Sequence, residues 1–242
     1  MGKGGGSSKT PHEAPDDLKS SQMLTVVDAI CEGPIEGPVD GLKSVRINKT
    51  PVLDSDGNAM VHGVTVVYRV GEDEQTAMEG FEDSGAETLL GVEVKKSEPV
   101  TRTITTKTLD RLRFTFGVQS LVSTSTKGDR NPTSVQMLIQ FRRDGQWQVE
   151  RDITITGKTT TQFLASVVID DLPPRPFEVR MLRLTDDSTT DLLQNKTVWS
   201  GYTEIIDVKQ RYPNTAVIGV KVDAEQFGSQ QVTRNYLLRG RI

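Results

Sequence analysis

Cysteine is almost missing from this 242-residue chain. Cys31 is the only one, which excludes an intrachain disulfide. Histidine is nearly as scarce: His12 and His62 lie far apart in sequence, too few to complete a thiolate or imidazole metal site. A lone cysteine with no histidine beside it has no cause for a lowered pKa, so its expected role is a small buried apolar residue. No run of 18 apolar residues occurs, which excludes a helical membrane span. The opening Met1-Gly-Lys-Gly-Gly-Gly-Ser-Ser-Lys9 has no apolar stretch of secretory type and departs from the myristoylation pattern at Gly6. The expected compartment is therefore a reducing cytoplasm. An excess of positive charge is missing too: 29 basic against 33 acidic residues give −4 and a pI near 5.4, which excludes a generally basic nucleic-acid binder.

Catalytic signatures are equally scarce. A nucleophile needs a base beside it, and two scattered histidines offer none. Gly4-Gly-Gly-Ser-Ser-Lys9-Thr10 fails as a phosphate loop, because Ser8 and Lys3 stand where glycines are required and no strand precedes it. Asp54-Ser-Asp-Gly-Asn58 has the spaced acids of half a calcium loop but lacks the closing glutamate and flanking helices; a hairpin turn is expected instead. Glu36 and Asp40 are read as turn acids rather than a cation site. Asn48-Lys-Thr and Asn195-Lys-Thr match glycosylation sequons without a secretory signal to use them. No catalytic, cofactor-binding or metal-ligating residue is assigned, and the chain is not expected to be an enzyme.

What is abundant is threonine, 27 residues, with valine beside it. Both favour pleated, half-buried surfaces, so the chain leans to β structure. Residues 1–17, rich in glycine, serine and proline, are expected to be a disordered tail. Residues 23–31 are an apolar run of strand length. Glu32-Gly-Pro-Ile-Glu-Gly-Pro-Val-Asp-Gly41 follows as a tight connection, since each proline removes a donor and each glycine permits φ > 0. Val45 and Ile47 share a face. The run 64–70 is expected to return from the Asp54–Asn58 turn as a hairpin strand. Residues 71–98 hold nine acids and two lysines and are read as a long acidic loop.

From about 99 the alternation strengthens. Leu112, Phe114 and Phe116 share a face; so do Val135, Met137, Ile139 and Phe141. Asp144-Gly145 turns the chain, and Trp147, Val149, Ile153 and Ile155 are expected inward, with Arg151 breaking the rule. After Leu172-Pro-Pro-Arg-Pro176, residues Phe177, Val179 and Met181 point inward. Arg183 then occupies an inward place, which suggests a bulge or strand end near Met181. Arg102–Arg143 carries eight basic and two acidic residues, but no aromatic platforms alternate with Arg111 and Arg113, so an exposed sheet face is expected rather than a nucleic-acid track. No segment has helical period with caps. The fold class is all-β, with a β-sandwich at 97–205. Apart from a structural role, the rings of Trp147, Trp199 and Tyr202 leave open a carbohydrate-binding sandwich contacting a cell envelope, with core packing the expected job of Trp147.

Several strings resemble one family. They are Glu32-Gly-Pro-Ile-Glu-Gly-Pro-Val-Asp-Gly-Leu-Lys-Ser-Val45, followed by Asn48-Lys-Thr-Pro-Val-Leu-Asp54, then Asp110-Arg-Leu-Arg-Phe-Thr-Phe-Gly-Val-Gln119, Gly157-Lys-Thr-Thr-Thr161 and Leu172-Pro-Pro-Arg-Pro-Phe177. The longest are Tyr202-Thr-Glu-Ile-Ile-Asp-Val-Lys-Gln-Arg-Tyr-Pro-Asn-Thr-Ala216 and Asp223-Ala-Glu-Gln-Phe-Gly-Ser-Gln-Gln231. In order along the chain, they are similar to the N-terminal region of the tip attachment proteins of lambda-like phage tails, the host specificity protein J family. The resemblance implies a structural part of a virion tail tip, made in the host cytoplasm. It implies a homotrimeric hub joined to other tail-tip proteins and the tape measure protein, with no nucleic acid, cofactor or metal. In that family the much longer C-terminal part builds the fibre that binds the receptor. The chain is therefore expected to be the hub portion, a truncated prophage copy or a fragment, with 18–96 and 206–242 a discontinuous partial hub domain around the inserted 97–205 sandwich.

Overall fold

A computed structural model describes residues 10–20, 23–81, 83–207, 210–223, 227 and 231–241. Its described residues contain strands, a 3₁₀ turn at Gly41–Ser44 and no α-helix. In chain order the strands are β1 (Met23–Glu32), β2 (Ile35–Pro38), β3 (Val45–Ile47), β4 (Thr50–Pro51), β5 (Thr65–Val70), β6 (Asp83–Val94), β7 (Val100–Ile104), β8 (Arg111–Val118), β9 (Val122–Thr124) and β10 (Arg130–Asn131). They continue as β11 (Thr133–Arg143), β12 (Gln146–Gly157), β13 (Phe163–Ile169), β14 (Phe177–Arg183), β15 (Leu193–Gln194), β16 (Thr197–Asp207), β17 (Thr215–Asp223), β18 (Arg234–Tyr236) and β19 (Leu238–Gly240). The all-β class expected from composition is what the chain adopts. The chain forms two compact units: one holds the described residues of 1–20 and 85–205, the other those of 21–84 and 206–242.

The first unit is a sandwich of two antiparallel four-stranded sheets, ordered β12-β11-β14-β7 and β13-β8-β16-β6. Alternation places every second side chain of each sheet in the shared core. Leu112, Phe114 and Phe116 of β8 meet Val135, Met137, Ile139 and Phe141 of β11 there. Phe114 lies 6.0 Å from Phe141 and 5.7 Å from Trp199, and Phe141 lies 5.3 Å from Phe177, ring centre to ring centre. Gly117 has no room for a side chain, because a Cβ would collide with the Phe163 carbonyl oxygen.

Three expectations about this unit change. Residues 83–94 are strand β6 at a sheet edge, not part of an acidic loop, and the compact unit takes in 85–96 and the described residues of 1–20 together with 97–205. An edge strand leaves Glu87 and Glu93 exposed to water, so its charges hide its strand character. No bulge or strand end falls at Met181: β14 pairs in register through Arg183. Arg183 faces Met137 across the ladder and is itself buried, as the inward parity demands. The bulge lies elsewhere, on β12, where Ile139 pairs with Arg151 and Gln140 with Val149, leaving Glu150 as an extra residue.

The second unit holds the sheets β1-β17-β5 and β18-β3-β4 and the pair β19-β2. Val45, Ile47, Val52, Val61, Ile218, Val220 and Val222 form its core. The Asp54–Asn58 turn exists, closed by the Leu53–Ala59 bridge, but the strand after it does not return as a hairpin. Instead β5 pairs with β17, about 150 residues on, forming one edge of a sheet whose apolar centre is β17, flanked by β1 on its other side. The final strand expected at 234–239 is broken into β18 and β19 at Leu237. Between β5 and β6, residues 71–81 are anchored rather than free. Gln75 accepts from the Gly71 amide at 2.9 Å and donates to the Thr215 carbonyl at 2.9 Å, while Met78 is buried.

Candidate functional site

The segment assigned to a tail has a binding site of its own. Residues 1–9 lie outside the described residues; from Thr10 the chain is laid against the first unit. The His12 carbonyl accepts from the Arg130 amide at 2.8 Å, and the Ala14 amide donates to the Arg130 carbonyl at 3.0 Å, forming a short parallel bridge. Further on, the arm meets Lys158, whose side chain is 2 % exposed. Its ammonium donates to Asp16 at 2.5 Å and to Glu13 at 3.3 Å. The other Asp16 oxygen takes the Thr160 amide and hydroxyl at 3.0 and 2.7 Å, and Asp17 takes the Lys158 amide at 2.6 Å. The Lys158 and Thr160 contacts hold the Asp16 pKa at about 2, below its ordinary 3.8, and hydrogen bonding to Asp16 raises that of Lys158. Composition alone marked this segment as unfoldable; its acids are matched to a lysine and amides that no local pattern reveals.

Two bulges decide which aromatic rings meet solvent. Directly opposed residues of paired strands share a face. On β12, beyond Glu150, Ile153 and Ile155 oppose Met137 and Val135 and join the core, as expected. Before it, Trp147 opposes Arg142 and Val149 opposes Gln140, so both turn to the outer face, contrary to the inward expectation. The Arg180 guanidinium stacks 4.3 Å from the Trp147 ring centre, and its Nε donates to Gln140 at 2.6 Å. Glu150 itself pairs with Arg143 at 2.8 Å. On β16 the register shifts between Trp199 and Gly201, leaving Ser200 over. That brings Trp199 opposite Phe116 and Tyr202 opposite Phe114, both towards the core. Trp199 is fully buried, its Nε1 donating to the Gly201 carbonyl at 2.9 Å, and its ring lies 6.1 Å from Tyr202. The ring triad invoked for sugar stacking is thus divided between two faces.

In the second unit, Asp28 of β1 receives a two-pronged bond from Arg234 of β18, at 2.7 and 3.0 Å, and a third from the Tyr236 hydroxyl at 2.5 Å. Arg234 holds the Asp28 pKa low, and burial followed by the Asp28 bond raises that of Tyr236. This pins β18 to β1 and offers no reacting atom. The remaining candidates are dispersed. Cys31 is exposed rather than buried, because it follows a register shift on the edge strand β1. His12 lies on the arm, far in sequence from His62, and Asp54 accepts from the Asp56 and Asn58 amides of its own turn at 2.9 and 2.8 Å. Arg111 and Arg113 both have partners.

Two antiparallel sheets packed face to face, with bonded groups holding segments together, define a fibronectin-III-like β-sandwich serving as a structural module. The comparisons agree. Residues 84–208 match the family model for the FNIII-A domain of tip attachment protein J. Tip attachment protein J of Escherichia phage SECphi27 is 32% identical over 237 residues, covering 95% of this chain and 20% of that protein. Its counterpart in Escherichia phage SECphi4 is 30% identical over 230 residues, covering 93% and 20%. The chain belongs to the tip attachment protein J family, and spans about a fifth of the length of these curated relatives. Among solved structures, a xylan-binding CBM22-1 domain from Paenibacillus barcinonensis Xyn10C covers 78% of this chain and 98% of its own, at 10% identity. Its TM-score of 0.28 is too low to carry any argument.

Proposed function

We propose that the chain is the N-terminal, structural part of a phage tail tip, acting in tail assembly and only indirectly in host attachment. The observation that carries this is the family match over 84–208 together with relatives aligned along nearly the whole chain. In this reading the second unit, built from segments on either side of the sandwich, belongs to a hub domain, and the FNIII-A sandwich is inserted into it. The partners are other tail-tip proteins and the tape measure protein, and the longer protein assembles as a homotrimer. Synthesis takes place in the host cytoplasm, and the final location is the virion tail tip. In this reading receptor binding is left to the longer C-terminal part expected of the full-length protein, and no catalytic step is assigned here.

The test is to express the tagged chain in cells producing tails of a phage whose own tip protein gene is deleted, alongside the full-length relative. The expected result is co-purification of tail-tip proteins identified by mass spectrometry, with gold-labelled antibody at the distal tail end for the full-length protein. Recovery of the chain free of all tail proteins would overturn the reading.

A further inference from the structure

The outer face of the β12-β11-β14-β7 sheet carries a feature that packing does not require. The bulge at Glu150 turns Trp147 and Val149 out of the core, and Val149 is left 53 % exposed. Bulges recur where a strand re-aims a side chain. Arg180 lies over Trp147 at 4.3 Å, and Arg142 approaches the same ring at 6.0 Å. The two arginines differ in what neutralises them. Arg142 is paired with Glu178 at 2.6 Å. Arg180 is fixed at Nε by the neutral Gln140, and among the described residues neither of its two amino groups has a bonded partner. Burial pulls its pKa down from the ordinary value with no carboxylate offsetting the loss. A guanidinium stacked on an indole and anchored at Nε keeps its other edge pre-aligned, and that edge fits a carboxylate through two parallel bonds.

We infer that this sheet face docks an acidic segment of a partner protein, one carboxylate taken by the two free amino groups of Arg180 and a neighbouring apolar side chain covering Val149. Charge complementarity selects the occupant: the surface offers an uncompensated, half-desolvated cation beside exposed hydrocarbon. A lysine-rich partner would meet the uncompensated Arg180. An uncharged sugar would leave the guanidinium charge uncompensated, and the Trp147 ring it would stack on is already covered by Arg180. The inference rests on the assembly reading only for taking the occupant to be a protein.

The test uses the whole chain labelled with ¹⁵N, which has two tryptophan indole signals, Trp147 and Trp199. Hexaglutamate is titrated at low salt, with hexalysine, hexagalacturonate and a single-stranded hexanucleotide in parallel. The expected result is a saturable shift of the Trp147 signal with hexaglutamate, while the buried Trp199 signal stays in place. Arg180→Lys keeps the charge and loses the fork, and should weaken binding by about tenfold or more. Arg239→Gln, in the other unit, should leave it unchanged. No shift with hexaglutamate overturns the inference, as does Arg180→Lys binding within about twofold of the native chain. Tighter binding of hexagalacturonate or the hexanucleotide also overturns it, in favour of a glycan or nucleic-acid surface. Failure here alongside successful capture of tail proteins would remove this surface and leave the assembly role standing.

Discussion

Replacing Arg183 with methionine keeps most of the buried volume and removes the charge and its donors. The guanidinium, 1 % exposed, donates to the Asn195 carbonyl at 2.6 Å and the Thr197 hydroxyl at 3.1 Å. It also reaches the Thr185 and Asp186 carbonyls, each at 2.9 Å. Three of the four acceptors are backbone carbonyls of the 185–195 connection, so the side chain ties down the two ends of a segment whose ladder is limited to the short β15–β9 pair. Hydrogen bonds from charged donors contribute about 1.5–3 kcal/mol each, but they are not additive around one group. Leaving the acceptors it serves unpaired costs about 1–3 kcal/mol each, so the total loss here should be about 3–5 kcal/mol. For a chain of this length that lowers Tm by roughly 6–20 °C. Asp187 is 41 % exposed, and its contact with Arg183 is 3.1 Å long. Asp187→Asn should therefore cost about 1 kcal/mol or less. Urea unfolding followed by near-ultraviolet dichroism of Trp199 measures both. If Arg183→Met unfolds within about 1 kcal/mol of the native chain, the carbonyl-anchoring argument fails.

Three further outcomes follow from the same geometry. Asp16 is depressed when folded, so its contribution to holding the arm is present above its ordinary 3.8 and is lost as pH falls towards about 2. Lys158 is raised, so its contribution is complete below 10.5 and is lost only at more alkaline pH. Amide relaxation at Ala14 should show a fixed arm at neutral pH and a mobile one near pH 2; an arm equally fixed at both would refute the clasp. In Gly157→Ala a Cβ would stand 2.5 Å from Asp17 Oδ1 and 2.9 Å from Leu18 Cγ, at a φ of +149°. The same relaxation measurement should find the arm released at neutral pH, and native values at Ala14 would count against the close-packing reading. Trp199→Leu should destabilise the sandwich by about 3 kcal/mol, whereas Trp147→Leu, on the outer face, should cost about 1 kcal/mol or less; equal losses would contradict the opposite facing of the two rings.

Much of the sandwich could be read from period-two alternation alone. In β8 and β11 the apolar positions are unbroken, and the residues expected inside are the ones buried. Reading failed wherever one extra residue changed parity. Trp147 and Val149 follow the same apolar rhythm as Ile153 and Ile155, and only the pairing with Gln140 and Ile139 reveals that Glu150 divides them. Arg183 suggests a bulge only because a charge stands in an inward place; the place is inward indeed, and carbonyls of the connection that follows make the burial tolerable. Strand β6 was hidden by its acids, since an edge strand needs no apolar face on its open side. The clasp on Lys158 could not be seen at all, because its members are about 140 residues apart. The resemblance strings nevertheless included Gly157-Lys-Thr-Thr-Thr161, the loop that the arm binds.

The bulge at Glu150 has a consequence for how such a strand can diverge. A pleated strand encodes inside and outside as odd and even, and one surplus residue reverses that code for everything on one side of it. The half of β12 beyond the bulge answers to the core, where Ile153 and Ile155 are constrained by volume. The half before it answers only to whatever meets the outer face. Substitutions there can retune a contact surface while the interior keeps its composition, so one strand carries two independently adjustable texts.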